Sequence, residues 1–184
     1  MQYDRSITLR DGRLCRLRSG VAADGEAVLA NFRLTHGQTD FLLTYPDEVS
    51  FTAEQEGQFL QGKADSPDEV LIIAEVDGAI AGTAGVDALG RRDKVRHRAV
   101  FGISLDKAYW GLGIGSALTA ACIDCARQAG YAQLELEVVG DNLRAIALYQ
   151  RMGFVECGRN PLGFRTREGR FQEFIAMRLE LNPA

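Results

Sequence analysis

The chain lacks several things, and each shortage removes a class of function. It has no excess of basic charge: 21 Lys and Arg stand against 25 Asp and Glu, a net charge of −4, and the pI is near 5.3. A general nucleic-acid binder would present an attractive surface to a polyanion, so none is expected. No apolar run is long enough to span a bilayer. The first residues, MQYDRSITLRDGR, are charged and have no apolar centre, so they do not read as a signal peptide. The expected address is the cytoplasm, with no membrane partner. Histidines are scarce, His36 and His97 only, and the four cysteines are Cys15, Cys122, Cys125 and Cys157. Cys122 and Cys125 form a C-x-x-C, yet no second pair exists and neither histidine is near in sequence. A zinc site needs about four ligands, so no metal is expected and the pair reads as small apolar residues in a helix. Without a histidine to activate it, no cysteine is expected to act as a nucleophile. Repeats and low-complexity linkers are absent too. The 184 residues, 46% hydrophobic and 25% charged, read as a single domain spanning 1–184 with one core.

What is present alternates between strand and helix patterns. Leu14–Leu17 reads as a strand after the turn Asp11-Gly12, and Ala22–Leu34 has helical spacing. Thr39–Ser50 is loop-like but apolar, with Phe41, Leu42, Leu43 and Tyr45. Thr52–Gln61 reads as a helix, with Thr52 as N-cap, Gln55 completing a capping box and Gly62 as the stop. Val70–Val76, Asp77-Gly78 and Ile80–Val86 form a strong hairpin signal. Ala99–Leu105 is a strand. Ile114, Ala117, Leu118, Ala121, Cys122 and Cys125 recur at helical spacing, and Gly130 ends that helix. Ala132–Val139 is a strand with Glu135 and Glu137 opposite Leu134, Leu136 and Val138. Asn142–Met152 is a helix closed by Gly153. Phe154–Arg159 and Phe171–Leu181 are last strands, joined by a loop with Pro161, Gly163 and Gly169. Several strands follow one another without a helix between, so the expected class is α/β with a mixed, mainly antiparallel sheet flanked by helices.

The segment Tyr109–Cys122, YWGLGIGSALTAAC, sets Gly111, Gly113 and Gly115 between a strand and a helix. Alternate glycines let backbone N–H groups converge on one point. The free N–H groups and positive dipole end of a starting helix favour an anion there, a phosphate or pyrophosphate. A P-loop would need Gly-Lys before Ser116, and the lysine is missing. A dinucleotide site would need a glycine where Ser116 stands, although Glu135 and Glu137 follow at a suitable distance. A purely structural turn is the third possibility.

The order strand, x-G-x-G-x-G, helix, strand, then N-x-x-A-x-x-L-Y-x-x-x-G-F over Asn142–Phe154 resembles the GCN5-related N-acetyltransferase (GNAT) family. The resemblance covers Ala99–Arg159 in detail. It implies a GNAT-like fold and acetyl-CoA as the acetyl-donor substrate. The loop Trp110, Gly111, Leu112, Gly113, Ile114, Gly115, Ser116 would then hold the pyrophosphate. Ile103, Ser104 and Leu105 would pair with pantetheine through backbone groups, and Asn142 would touch the carrier. One departure stands: the family's loop usually begins with arginine or glutamine, and Trp110 offers no charge, though it leaves the backbone nest intact.

Acetyl transfer to an amine asks for a base, an oxyanion donor and a proton for the leaving thiolate. The resemblance gives the last task to Tyr149, which shares an inward helix face with Ala145, Leu148 and Met152. Glu137 is the candidate base, since some relatives that acetylate protein N-termini have a glutamate at the matching place; a water chain is the alternative. The oxyanion donor would be a backbone N–H near Leu105. The acceptor, a small-molecule amine or an amine on a peptide or protein, is expected between His36–Phe51 and Pro161–Phe171, where Asp40, Asp47 and Glu48 could attract a cation. A homodimer is left open. The competing functions are a non-catalytic acyl-CoA-binding regulatory module on the same fold and a dinucleotide-dependent oxidoreductase.

Overall fold

Asp77 and Gly78 turn the chain as their chemistry asks. Both have positive φ, 51° and 79°, the left-handed pair of a type I′ hairpin turn. They join β3 (Val70–Val76) to β4 (Ala79–Ala88), whose register runs from Val76↔Ala79 to Val70↔Val86. In this structure, a computed structural model, residues 1–181 are described. Among them β3 and β4 sit in an eight-stranded sheet of order β1-β2-β3-β4-β5-β6-β8-β7. The other strands are β1 (Asp4–Thr8), β2 (Leu14–Ser19), β5 (Arg98–Leu105), β6 (Gln133–Val139), β7 (Val155–Arg165) and β8 (Phe171–Glu180). Every neighbouring pair is antiparallel except β5 and β6. The mixed, mainly antiparallel sheet is therefore as expected, and one parallel pair does not make the doubly wound sheet of a dinucleotide fold.

Period-two alternation sorts the side chains to two faces. On β6, Leu134, Leu136 and Val138 are buried with Ile114, Leu118 and Cys122 of α3 (Ile114–Gln128) and Tyr149 of α4 (Leu143–Arg151). Glu135 and Glu137 point to the other face. That face takes α1 (Gly25–Gly37) and α2 (Ala53–Asp65), where Val28, Leu60 and Ile73 form a second, smaller cluster. The central strand β3 is apolar on both sides, as a strand covered by helices on both faces must be.

Among the differences from the sequence reading, three have a clear physical reason. The helix expected to stop at Gly62 runs on to Asp65. A helical glycine costs only about 1 kcal/mol, and the following turn buries Lys63 and Ala64. The Thr52–Gln55 capping box is present at its start. The loop expected at Pro161 is strand: β7 continues to Arg165, with a register shift between Asn160 and Phe164. It is an edge strand, where a proline has no ladder bond to lose. Finally, β1 escapes a pattern reading because its five residues are almost wholly exposed.

Candidate active site

β5 and β6 pair over three positions only, Arg98↔Gln133 to Val100↔Glu135. Beyond them β5 stays with β4 as far as Leu105, β6 stays with β8, and the sheet's twist parts the two. A cleft of about 1070 Å³ opens at the split. The N–H of Asp106 donates to Ala81 on β4, so by alternation the amide groups of Ile103 and Leu105 face the open side. The backbone of Ser104 is turned to β4, and its hydroxyl lies 3.4 Å from that of Thr83.

At the mouth of the cleft the chain makes its glycine turn. Gly111 and Gly113 have φ of 88° and 101°, which L side chains rarely adopt. Gly113 is the N-cap of α3, so the N–H groups of Ile114, Gly115 and Ser116 begin the helix without intrahelical partners. Gly115 is ordinary helix, and a Cβ there would meet Leu148 at 3.6 Å. The nest thus needs two of its three glycines for backbone conformation.

Trp110 is woven into this turn. Its indole Nε1–H donates to the Leu105 carbonyl at 2.9 Å. Lys107 and Arg144 lie over its ring, 5.6 and 5.2 Å from the centroid. Arg10, on the β1–β2 turn, donates from its backbone to Leu112 and from Nη1 to Gly111, each at 3.2 Å. Arg10 and Arg144 therefore bring to the loop the positive charge that Trp110 does not carry. Sequence reasoning missed both. Arg144 follows Asn142 by two residues and was within reach of a motif reading; Arg10 is a hundred residues from the loop, and nothing local marks it. Leu112 packs against the core, and Asn142 Oδ1 caps α4 by accepting from Ala145 at 3.2 Å.

Deeper in, Tyr149 is 7% exposed, against Phe101 and Phe154 with ring centroids 6.0 and 5.8 Å away. Burial raises the pKa of its phenol, so it keeps its proton at neutral pH and can donate it. Tyr149 and Glu137 line the same cleft but belong to opposite faces of the sheet, since Glu137 alternates with Leu136 and Val138. Glu137 makes no ion pair among the described residues. Glu135, two residues earlier, is engaged by Arg98 through Nε to Oε1 and Nη2 to Oε2, the latter at 2.7 Å. The Arg98 guanidinium holds its carboxyl below the usual range, so Glu135 is a poor proton acceptor.

The far end of the cleft is roofed by the loop after α1 and the β7–β8 hairpin. Arg167 ties them: Nη2 to Asp47 at 2.7 Å, backbone N–H to the Tyr45 hydroxyl at 3.1 Å, and the guanidinium 4.0 Å over the Tyr45 ring. Two of the acids expected to attract a cation are thereby committed elsewhere, Asp47 to Arg167 and Glu48 to the backbone N–H of Tyr45. The expectation fails there because both acids serve local structure. Cys122 and Cys125 lie buried in the core; burial pushes the Cys125 thiol up to about 11 and that of Cys122 well above its ordinary value.

The family profile described as Acetyltransferase (GNAT) family matches residues 35–154. Over 93 residues the chain is 38% identical to the N-alpha-acetyltransferase RimI of Mycobacterium tuberculosis, covering 50% of this chain and 56% of that one. Against several curated relatives the chain spans between 34% and 56% of their length. Among solved structures, the acetyltransferase of GNAT family from Streptococcus pneumoniae superposes with a TM-score of 0.86 at 30% identity, over 90% of this chain and 99% of that one. YncA of Salmonella typhimurium, solved with its cofactor acetyl-CoA, superposes with a TM-score of 0.82 at 19% identity, over 92% and 95%; at that identity the likeness speaks for the fold alone.

Proposed function

The chain belongs to the acetyltransferase (GNAT) family, and from that premise we propose that it transfers an acetyl group from acetyl-CoA to a primary amine by direct attack in a ternary complex. The observation that carries the reading is the cleft itself: a helix-capping glycine nest at one end of an open strand edge, and a protonated tyrosine facing into the same space. Acetyl-CoA supplies the acetyl group as an activated thioester. The N–H groups around Gly113–Ser116 bind its pyrophosphate, with Arg10 and Arg144 adding charge. The free amide groups of Ile103 and Leu105 align the pantetheine arm in the manner of an added strand, and the Leu105 N–H lies on the side where a developing oxyanion would need a donor. Glu137 receives the proton of the attacking amine. As the new C–N bond forms and the C–S bond breaks, Tyr149 gives its proton to the thiolate. Burial keeps the proton on the phenol at neutral pH, so the hydroxyl is present as a donor when the thiolate forms. The name of the Mycobacterium tuberculosis relative, an N-alpha-acetyltransferase, supports an amine as acceptor.

The test is thermal stabilisation by acetyl-CoA against NAD, followed by thiol release with a panel of amines. Stabilisation by acetyl-CoA together with amine-dependent thiol release supports the reading. Stabilisation without release from any amine points to the regulatory module instead, and stabilisation by NAD alone removes both.

A further inference from the structure

The acceptor end of the cleft lies on the face of the sheet that carries α1 and α2. Its floor has little side-chain bulk around Glu137: Ala176 is its cross-strand neighbour, and Gly102 on β5 has nothing within 4 Å of where a Cβ would stand. Its walls are apolar, with Phe41 and Leu43 from the loop after α1 and Phe164 and Phe174 from the hairpin. The two hairpin rings meet edge-on with centroids 3.9 Å apart.

The charges on this side are lopsided. Arg98 is taken by Glu135 and Arg167 by Asp47. Arg170 pairs with Asp141, Arg159 with Glu156 and Glu173, and Arg165 lies over the Phe171 ring. The cations that line the cleft itself, Arg10, Arg144 and Arg151, stand on the β1–β2 turn and on α4, on the carrier side of the sheet. Glu137 is thus an exposed carboxylate with no ion-pair partner among the described residues, flanked by apolar side chains, and of the cations named on this side only Arg165 is not paired with a carboxylate.

Resting on the acetyltransferase reading, we propose that the acceptor is a primary amine on an apolar scaffold with no free carboxylate beside the nitrogen. Glu137 recognises the ammonium before taking its proton, and the phenylalanine walls receive the substituent. A carboxylate next to the amine would face Glu137 with no cation lining this end of the cleft to offset the repulsion. Free amino acids are therefore disfavoured, whereas alkyl and arylalkyl amines and amino-acid amides are accepted.

The experiment measures thiol release at saturating acetyl-CoA for 2-phenylethylamine, phenylalaninamide, phenylalanine and ethanolamine. 2-Phenylethylamine is more basic than phenylalanine, so a preference for it cannot come from a larger fraction of free amine. The expected kcat/KM for 2-phenylethylamine and phenylalaninamide exceeds that for phenylalanine by about tenfold or more, and that for ethanolamine is lower than for 2-phenylethylamine by a similar factor. Phenylalanine turned over as well as its amide, or ethanolamine as well as 2-phenylethylamine, overturns the proposal. Thermal stabilisation by acetyl-CoA with no release from any of the four also overturns it and leaves carrier binding standing. No stabilisation by acetyl-CoA overturns the acetyltransferase reading itself.

Discussion

The indole of Trp110 and the carbonyl of Leu105 are joined by a 2.9 Å hydrogen bond that fastens the start of the glycine turn to the end of the open strand. Since the Leu105 N–H and C=O point to the same side, the bond leaves the N–H as the group of Leu105 available to a ligand. Trp110→Phe keeps the ring under Arg144 and removes this donor. Stability is expected to fall by about 1 kcal/mol, the net worth of one such bond, and the KM for acetyl-CoA to rise several-fold with kcat less affected. An unchanged KM would assign the bond to packing alone.

Gly113→Asp tests the nest. A Cβ there meets nothing within 4 Å, so the substitution acts through its strained positive φ and through a carboxylate placed where a pyrophosphate is expected. Binding of acetyl-CoA, followed by calorimetry, should be lost from a protein that still folds by circular dichroism. Wild-type affinity in that variant sinks the assignment of the loop.

Tyr149→Phe deletes a hydroxyl that has no hydrogen-bond partner among the described residues, and keeps the ring against Phe101 and Phe154. The melting temperature should hardly move. Turnover should fall by roughly two orders of magnitude, the usual scale for losing a general acid, with the affinity for acetyl-CoA little changed. Normal turnover on a proven amine would make Tyr149 a packing residue.

Glu137→Gln removes a proton acceptor without altering size. The loss of kcat/KM is expected to be greatest below the pH optimum of the parent, where free amine is scarcest and help with its proton matters most. A pH–rate profile superimposable on the wild type returns Glu137 to the role of a surface residue.

His36 sets a pH dependence of stability. Its ring stacks on Phe32 with centroids 3.6 Å apart, its Nδ1–H donates to the Phe32 carbonyl at 2.8 Å, and burial lowers its pKa against that bond. The unfolded chain therefore binds this proton at a higher pH than the folded one. The contribution to stability is full above the ordinary histidine value of about 6.5 and is lost as pH falls through the folded pKa. Denaturant titrations from about pH 7.5 to about pH 5.5 should show that fall, flattened in His36→Phe. An equal slope in the variant would place the acid sensitivity elsewhere.

The sequence by itself determined the local events, because their causes are local. Asp77-Gly78 can make a tight hairpin wherever it occurs between two apolar strands. Thr52 and Gln55 cap a helix from three residues apart, and Gly111 and Gly113 supply the positive φ that turns a strand into a helix. The Leu148-Tyr149 pair and Gly153-Phe154 sit at fixed helical offsets from Asn142, so the resemblance that named the family was carried by short-range pattern. What only the tertiary structure decided depends on which distant segments meet. The split of β5 from β6 arises because each follows a different antiparallel partner, and neither strand's own residues encode that. Arg10 reaches the glycine loop only because the β1–β2 turn lies beside it. Asp47 and Glu48 look like free acids in sequence and are consumed by Arg167 and the Tyr45 backbone in space. The same holds for the acceptor end: Arg98 and Arg167 are cations in the sequence, and it is their pairing with Glu135 and Asp47, through long-range register and loop contact, that leaves Glu137 without a counter-charge.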